Sequence, residues 1–113
     1  MAEVAARTGL SPAQVAQTHQ SATYEVAMYG FAPGYAYLSG LPAALGLDRK
    51  PQPVRNVPAG SVIIAGGQCL ITTVTMPTGW WIIGRTKTRV LTDDPAHPFL
   101  FEVGDHLRFA AAT

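Results

Sequence analysis

The side chains able to do chemistry are few and scattered. Three histidines, His19, His97 and His106, stand far apart, and none shows the short H-x3–5-H type of spacing that a zinc site uses. The single cysteine, Cys69, would need a base or a helix N-terminus beside it to act as a nucleophile. Placed before Leu70 and Ile71 in an apolar run, it reads as an inert core residue. Asp93 and Asp94 are adjacent carboxylates, but Pro95 beside them marks a solvated turn. Gly66 and Gly67 lack the neighbouring Lys and Ser/Thr of a phosphate cradle, and no nucleophile-elbow motif is present.

Two polar residues invite a binding role. Gln68 is the one large amide in an uncharged stretch running from Asn56 to Gly84; it opens a strand, and a buried Gln must find hydrogen-bond partners. Arg85 closes that stretch, where its planar fork of donors could hold a carboxylate. Between residues 26 and 84 the ionisable side chains, tyrosines and Cys69 aside, are Asp48, Arg49, Lys50 and Arg55. A self-contained hydrolase needs a general base or a metal-bound water, and this chain offers neither. It reads as part of an enzyme or as a binding module.

The elements that must position these residues follow from pattern. Residues 2–8 form a short helical stretch ended by Gly9. Ser11, Pro12 and Gln14 then supply an N-cap, a proline at the first helical position and a capping box, predicting a helix to about His19. Residues 23–29 alternate, with Tyr24, Val26 and Met28 on one face. The glycine-rich segment 30–42 carries Phe31, Tyr35 and Tyr37 without a charge, so it is expected to be covered or to line a pocket. Residues 61–65, 68–75 and 80–83 are apolar runs separated by Gly66 and Gly67 and by residues 76–79, and read as consecutive strands joined by turns. Beyond Arg85, a strand at 88–92 and a hairpin of 99–103 with 106–110 across Gly104 and Asp105 complete the pattern. Seven or so short strands behind two helices predict a mainly β protein, closed or nearly closed as a barrel.

Composition narrows the classes. The chain of 113 residues is one domain, 13% charged against 48% hydrophobic, which is about half the usual charged share. A formal charge of +1 gives no electrostatic case for nucleic acid or an anionic membrane. No apolar run approaches the ~20 residues of a bilayer span. A single cysteine suits a reducing compartment, and the chain is read as cytoplasmic.

Taken together the motifs are more specific than any one of them. The run from Gly30 to Leu38 (GFAPGYAYL), Arg55 to Val62 (RNVPAGSV), Ile64 to Gln68 (IAGGQ), Gly79 with Trp80, and Ile83 to Thr86 (IGRT) resemble the family of allophanate hydrolase subunit 1 and the 5-oxoprolinase B-subunit. That family includes carboxyltransferase domains and an inhibitor of a sporulation histidine kinase. His19 ahead of Tyr24 and the closing Gly104 and Asp105 fit the same likeness, which covers essentially the whole chain. Two departures stand beside the expected pocket: Gln68-Cys69-Leu70 where the family commonly has Gln-Thr-Gly, and Pro77-Thr78-Gly79-Trp80 where it has Pro-Gly-Gly-Trp.

The resemblance implies a cyclophilin-like β-barrel preceded by a helical lead-in over residues 1–20, with the N-terminal α/β domain of fuller-length family members absent. It implies a homologous second subunit, of the allophanate hydrolase subunit 2 or 5-oxoprolinase C-subunit type, and an amide substrate such as allophanate, urea or 5-oxoproline. No cofactor is expected on this domain alone; ATP or biotin would belong to the complex. Pocket or interface residues carried over are His19, Phe31, Pro33, Gly34, Tyr35, Tyr37, Arg55, Gln68, Trp80 and Arg85, none with a proton-transfer role. The other reading is a regulatory protein that docks on a sensor histidine kinase.

Overall fold

The computed structural model describes residues 2–29, 36–50, 52–87, 90 and 100–110. Two helices lead: α1 (Ala2–Thr8) and α2 (Pro12–Ser21). Gly9 ends α1 at φ +74°, its N–H returning to Ala5 O at 3.0 Å, the left-handed exit that favours glycine. Ser11 caps α2 with both halves of the capping box formed: Gln14 N–H donates to Ser11 Oγ and Ser11 N–H to Gln14 Oε1. The helix runs two residues beyond His19, ending at Ser21.

Among the described residues eight strands follow: β1 (Tyr24–Tyr29), β2 (Ala36–Ser39), β3 (Val54–Val57), β4 (Ser61–Ala65), β5 (Gln68–Ile71), β6 (Met76–Thr78), β7 (Trp81–Arg85) and β8 (His106–Leu107). A 3-10 turn, Ala43–Leu45, lies between β2 and β3. Six strands form one antiparallel sheet in the order β7-β4-β5-β2-β1-β8, and β3 pairs with β6 in a separate ribbon. The class is mainly β, as the pattern predicts. Among the described residues β7 and β8 are the edges of an open sheet rather than a closed barrel.

Alternation along the strands sorts the core into two layers. Val62, Ile64, Cys69, Ile71, Trp81, Ile83, Ala36, Leu38, Tyr24 and Val26 face the helices and join Val4, Val15 and Leu45 in the main cluster. Ile63, Ala65, Leu70 and Trp80, with Tyr37 and Ile82 against them, form a smaller cluster on the reverse face. Each fully buried aliphatic side chain of this kind contributes roughly 1.5–3 kcal/mol. Trp81 ties the layers to the helices: its Nε1 donates to Asp48 O at 2.7 Å, and the Arg7 guanidinium and Lys50 Nζ lie 5.1 and 4.8 Å from its ring.

Three expectations are corrected. Tyr24 and Val26 are buried but Met28 is 53% exposed, because the β1–β2 register slips between Val26 and Met28. One extra residue in a strand moves everything after it to the other face. The supposed connector 76–79 contains β6, which pairs with β3 away from the main sheet, where Pro77 breaks no central ladder. The hairpin predicted from 99–103 and 106–110 does not form among the described residues. Gly104 and Asp105 do turn the chain, Asp105 N–H returning to Glu102 O and Asp105 Oδ2 accepting from Glu102 N–H. β8, however, pairs with β1, Tyr24 opposite Leu107 and Glu25 opposite His106. The strand expected at 88–92, apart from Val90, lies outside the described residues.

Candidate functional site

His19, on α2, is a buried polar side chain, only 4% exposed. One helical turn after Val15, it lands on the same inward face of α2, above the sheet. Its Nε2 stands 3.2 Å from Cys69 Sγ, a residue 50 positions away. Around it, Phe109 lies at 4.5 Å and Tyr24 at 5.1 Å between ring centroids, and Tyr24 Oη donates to His19 O at 2.8 Å. Burial alone holds His19 down to about 4 and pushes the Cys69 thiol up to about 12, although the Leu70 backbone amide at the sulfur pulls the thiol slightly the other way. Burial, and then the neighbouring Cys69, pushes the Tyr24 phenol up as well. At neutral pH the trio is therefore uncharged. A thiol this far from ionising is no nucleophile, so Cys69 is a core residue, as its sequence neighbours imply, but one with a histidine for a partner.

The same histidine lines a small pocket of about 100 Å³ with Gln20, Ile83, Arg85 and Phe109 among its walls. Arg85 reaches it from the last position of β7, where it pairs with Ser61 at the start of β4. That corner is held by a compact polar knot. Ser61 N–H donates to Thr72 Oγ1 (3.0 Å), and the hydroxyls of Ser61 and Thr72 both donate to Pro58 O (2.7 and 2.9 Å). Ser61 thus serves backbone groups, as a residue after a turn should. Gly60, at φ +85°, receives the Thr86 N–H on its carbonyl at 2.8 Å.

The other candidates fall elsewhere. Gln68, half-buried, pairs with Ala65 and Ser39 at the hairpin end of the sheet. That is the opposite end of β4 from Arg85, four residues or about 13 Å along the strand, so these two do not share one mouth. By alternation Gln68 lies on the reverse face with Tyr37 and Trp80, whose ring centroids are 6.0 Å apart. Arg55 is exposed and lines a broad depression of about 630 Å³ with Gln52, Asn56 and Pro77. Asn56 there adopts φ +56°, a left-handed conformation that Asn tolerates better than most residues. Phe31, Pro33, Gly34 and Tyr35 lie outside the described residues. Of the ten residues singled out by sequence, the structure therefore brings His19 to Arg85 and Tyr37 to Trp80. No three His, Cys, Asp or Glu side chains converge on a metal-sized point among the described residues.

Sequence reasoning missed Cys69 as the partner of His19. The available signal was that both positions point inward, His19 by helical spacing from Val15 and Cys69 by alternation from Ile71. No local rule joins residues 50 apart.

The helices and the antiparallel sheet thus enclose a small pocket, with polar groups in its wall, at one corner. Residues 1–101 match the family described as carboxyltransferase domain, subdomain C and D. The chain belongs to that family. It is 41% identical over 109 residues to the 5-oxoprolinase B-subunit of Escherichia coli O157:H7, covering 96% of this chain and 50% of that protein. The 5-oxoprolinase B-subunit of Bacillus subtilis (strain 168) is 38% identical over 107 residues, 95% of this chain and 45% of that one. Among solved structures, TTHA0988 superposes with a TM-score of 0.91 at 40% identity, over 98% of this chain and 23% of that one. The conserved uncharacterized protein PH0987 from Pyrococcus horikoshii gives 0.88 at 38%, over 96% and 50%. The chain thus spans about half the length of the curated relatives it matches.

Proposed function

We propose that this chain is a domain of a multi-subunit, cytoplasmic enzyme of the 5-oxoprolinase type, acting with a homologous second subunit on a small cyclic or urea-like amide. The observation that carries the reading is the 38–41% identity to three proteins named as 5-oxoprolinase B-subunits over 95–96% of this chain. The pocket at Arg85 supports it chemically. 5-Oxoproline, for example, is a lactam bearing a carboxylate, and a guanidinium takes a carboxylate through two parallel hydrogen bonds that an ammonium cannot copy. The domain supplies recognition, while bond-breaking groups come from the assembled complex.

ATP and biotin belong to that complex in this reading, and for ATP the glycine pair here does not fit a phosphate. Gly66 and Gly67 form the β4–β5 turn, and the Gly66 N–H is already spent on Leu47 O at 2.7 Å. The test is co-expression with a partner of the 5-oxoprolinase C-subunit type, followed by ATP-dependent turnover of 5-oxoproline, urea and allophanate. The chain alone is expected to be inactive on all three and the complex active on one. Arg85→Lys should leave the melting temperature unchanged and lower the activity of the complex by roughly 10–150-fold, the equivalent of ~1.5–3 kcal/mol for a charged hydrogen bond. Turnover by the isolated chain would refute the division of labour.

A further inference from the structure

We infer that the pocket beside His19 is a carboxylate site in which the His19 Nδ1–H and the Arg85 guanidinium donate together, and that Cys69 is the positioning residue that places the imidazole proton on Nδ1. The inference rests on the 5-oxoprolinase reading only for the identity of the natural ligand. The pocket itself is defined by geometry.

Hydrogen counting decides the tautomer. His19 Nε2 and Cys69 Sγ are 3.2 Å apart in a setting where the sulfur is fully buried and the ring 4% exposed, so one hydrogen lies between them. It could belong to either atom. The strand partners of Cys69, Ile64 opposite it and Leu38 across the next strand, are apolar, and the phenol of Tyr24 nearby is already engaged in donating to His19 O. An imidazole nitrogen is much the better acceptor of the two. The S–H therefore donates to Nε2, and the neutral ring must carry its own proton on Nδ1. Both groups remain neutral across the physiological range because burial moves the histidine down and the thiol up.

With Nε2 committed to Cys69, Nδ1 is the nitrogen left for the pocket that His19 lines. A ring fixed in this tautomer presents a donor there. Had Nε2 carried the proton, the pocket would meet a lone pair, which repels a carboxylate oxygen. Arg85, in the same lining, adds donors and formal charge. Gln20, also in the lining, can supply an amide N–H. At about 100 Å³ the space is well below the ~300 Å³ of an ordinary ligand cleft. It takes a carboxylate head group, with the remainder of the ligand projecting outward. The design is one of two donors converging on a small anion, with a thiol behind one of them setting its protonation pattern, as the buried partner of a ligating histidine fixes its tautomer elsewhere.

The experiment uses the intact chain, labelled with 15N, in long-range 1H–15N correlation spectra that distinguish the two tautomers of His19. Acetate and 5-oxoproline are the probes. The unmutated protein should show the Nδ1–H form, with the Nδ1 resonance moving on addition of acetate. Cys69→Ser, whose hydroxyl can also donate to Nε2, should keep both properties. Cys69→Val, which cannot, should shift His19 toward Nε2–H and weaken acetate binding about tenfold, one lost hydrogen bond's worth, and Arg85→Lys should weaken it without altering the tautomer. An Nε2–H ring in the unmutated protein overturns the assignment, and needs no variant to fold. Acetate binding that is absent, or equal in Cys69→Val and the unmutated protein, overturns it too. If acetate and tautomer behave as described while 5-oxoproline neither binds nor competes, the carboxylate site stands and the 5-oxoproline reading falls.

Discussion

Acidification should unfold this protein through His19. The ring is buried and neutral, with its pKa lowered by burial from 6.5 to about 4. An unfolded chain takes up a proton near 6.5 and the folded one only near 4, so the unfolded state binds more protons between those values. Stability from this group is complete above about pH 6.5 and is lost progressively as the pH falls toward 4. A fall from 6.5 to about 4 at ~1.4 kcal/mol per pH unit sets a ceiling near 3.5 kcal/mol, and some access of water to the ring brings the working figure to about 2–3 kcal/mol. For 113 residues, with an unfolding entropy of about 2.1 cal/mol/K per residue, that corresponds to a fall in Tm of roughly 8–13 °C. Urea titrations followed by the fluorescence of Trp80 and Trp81, both buried, at several pH values from 7 to 4 would measure it. The control is His19→Gln, which cannot titrate but preserves polarity at the site. The substitution removes one titrating side chain and leaves the others in place, so the difference between the two pH profiles isolates His19. Parallel profiles from 6.5 to 4 would refute the reasoning.

Three further outcomes are expected. Cys69 should resist iodoacetamide at pH 8 in the folded protein and react once urea unfolds it, because the thiol is fully buried and held near 12; mass spectrometry of the alkylated chain reads this directly. Gly60→Ala should cost several times more than Gly66→Ala in chemical denaturation. Both sit at positive φ, but a Cβ on Gly60 would meet Thr86 O at 2.7 Å whereas one on Gly66 meets nothing, so the first adds a backbone clash to the ~1 kcal/mol left-handed penalty common to both. Thr72→Val, nearly isosteric, should lose about 1–3 kcal/mol by stranding the Ser61 N–H, and equal midpoints for variant and parent would remove the polar knot from the account of that corner.

Much of the fold can be read from local chemistry. Ser11, Pro12 and Gln14 announce the start of α2, Gly9 the end of α1, and Gly66 with Gly67 the β4–β5 turn, because each rule spans only a few residues. Reading fails where structure depends on what lies across the sheet. The slip at Ala27 is invisible in an alternating run, since only the register against β2 reveals it. Pro77 and Gly79 look like turn residues until β3 is seen to offer an edge where a proline does no harm. The site shows the same division. Arg85 stands out by closing an uncharged stretch, and His19 by its position ahead of Tyr24, but their meeting at one pocket and the approach of Cys69 depend on how a helix lies across strands far away in sequence.

The pairing of β8 with β1 governs the order in which the molecule can be assembled. Val62 and Ile71, partners in β4 and β5, are nine residues apart, whereas Tyr24 and Leu107 are 83 apart (107 − 24). Closing the longer loop first costs about 2 kcal/mol more in chain entropy, and β8 has only two residues with which to repay it. The central hairpin is thus the natural place for the sheet to begin and the β1–β8 seam the natural place for it to finish. Phe109, two residues past β8, covers both His19 and Tyr24 and walls the pocket. The corner at His19 therefore stays unfinished until residues 106–109 dock, and any fraying of that seam opens the same corner before it disturbs the middle of the sheet.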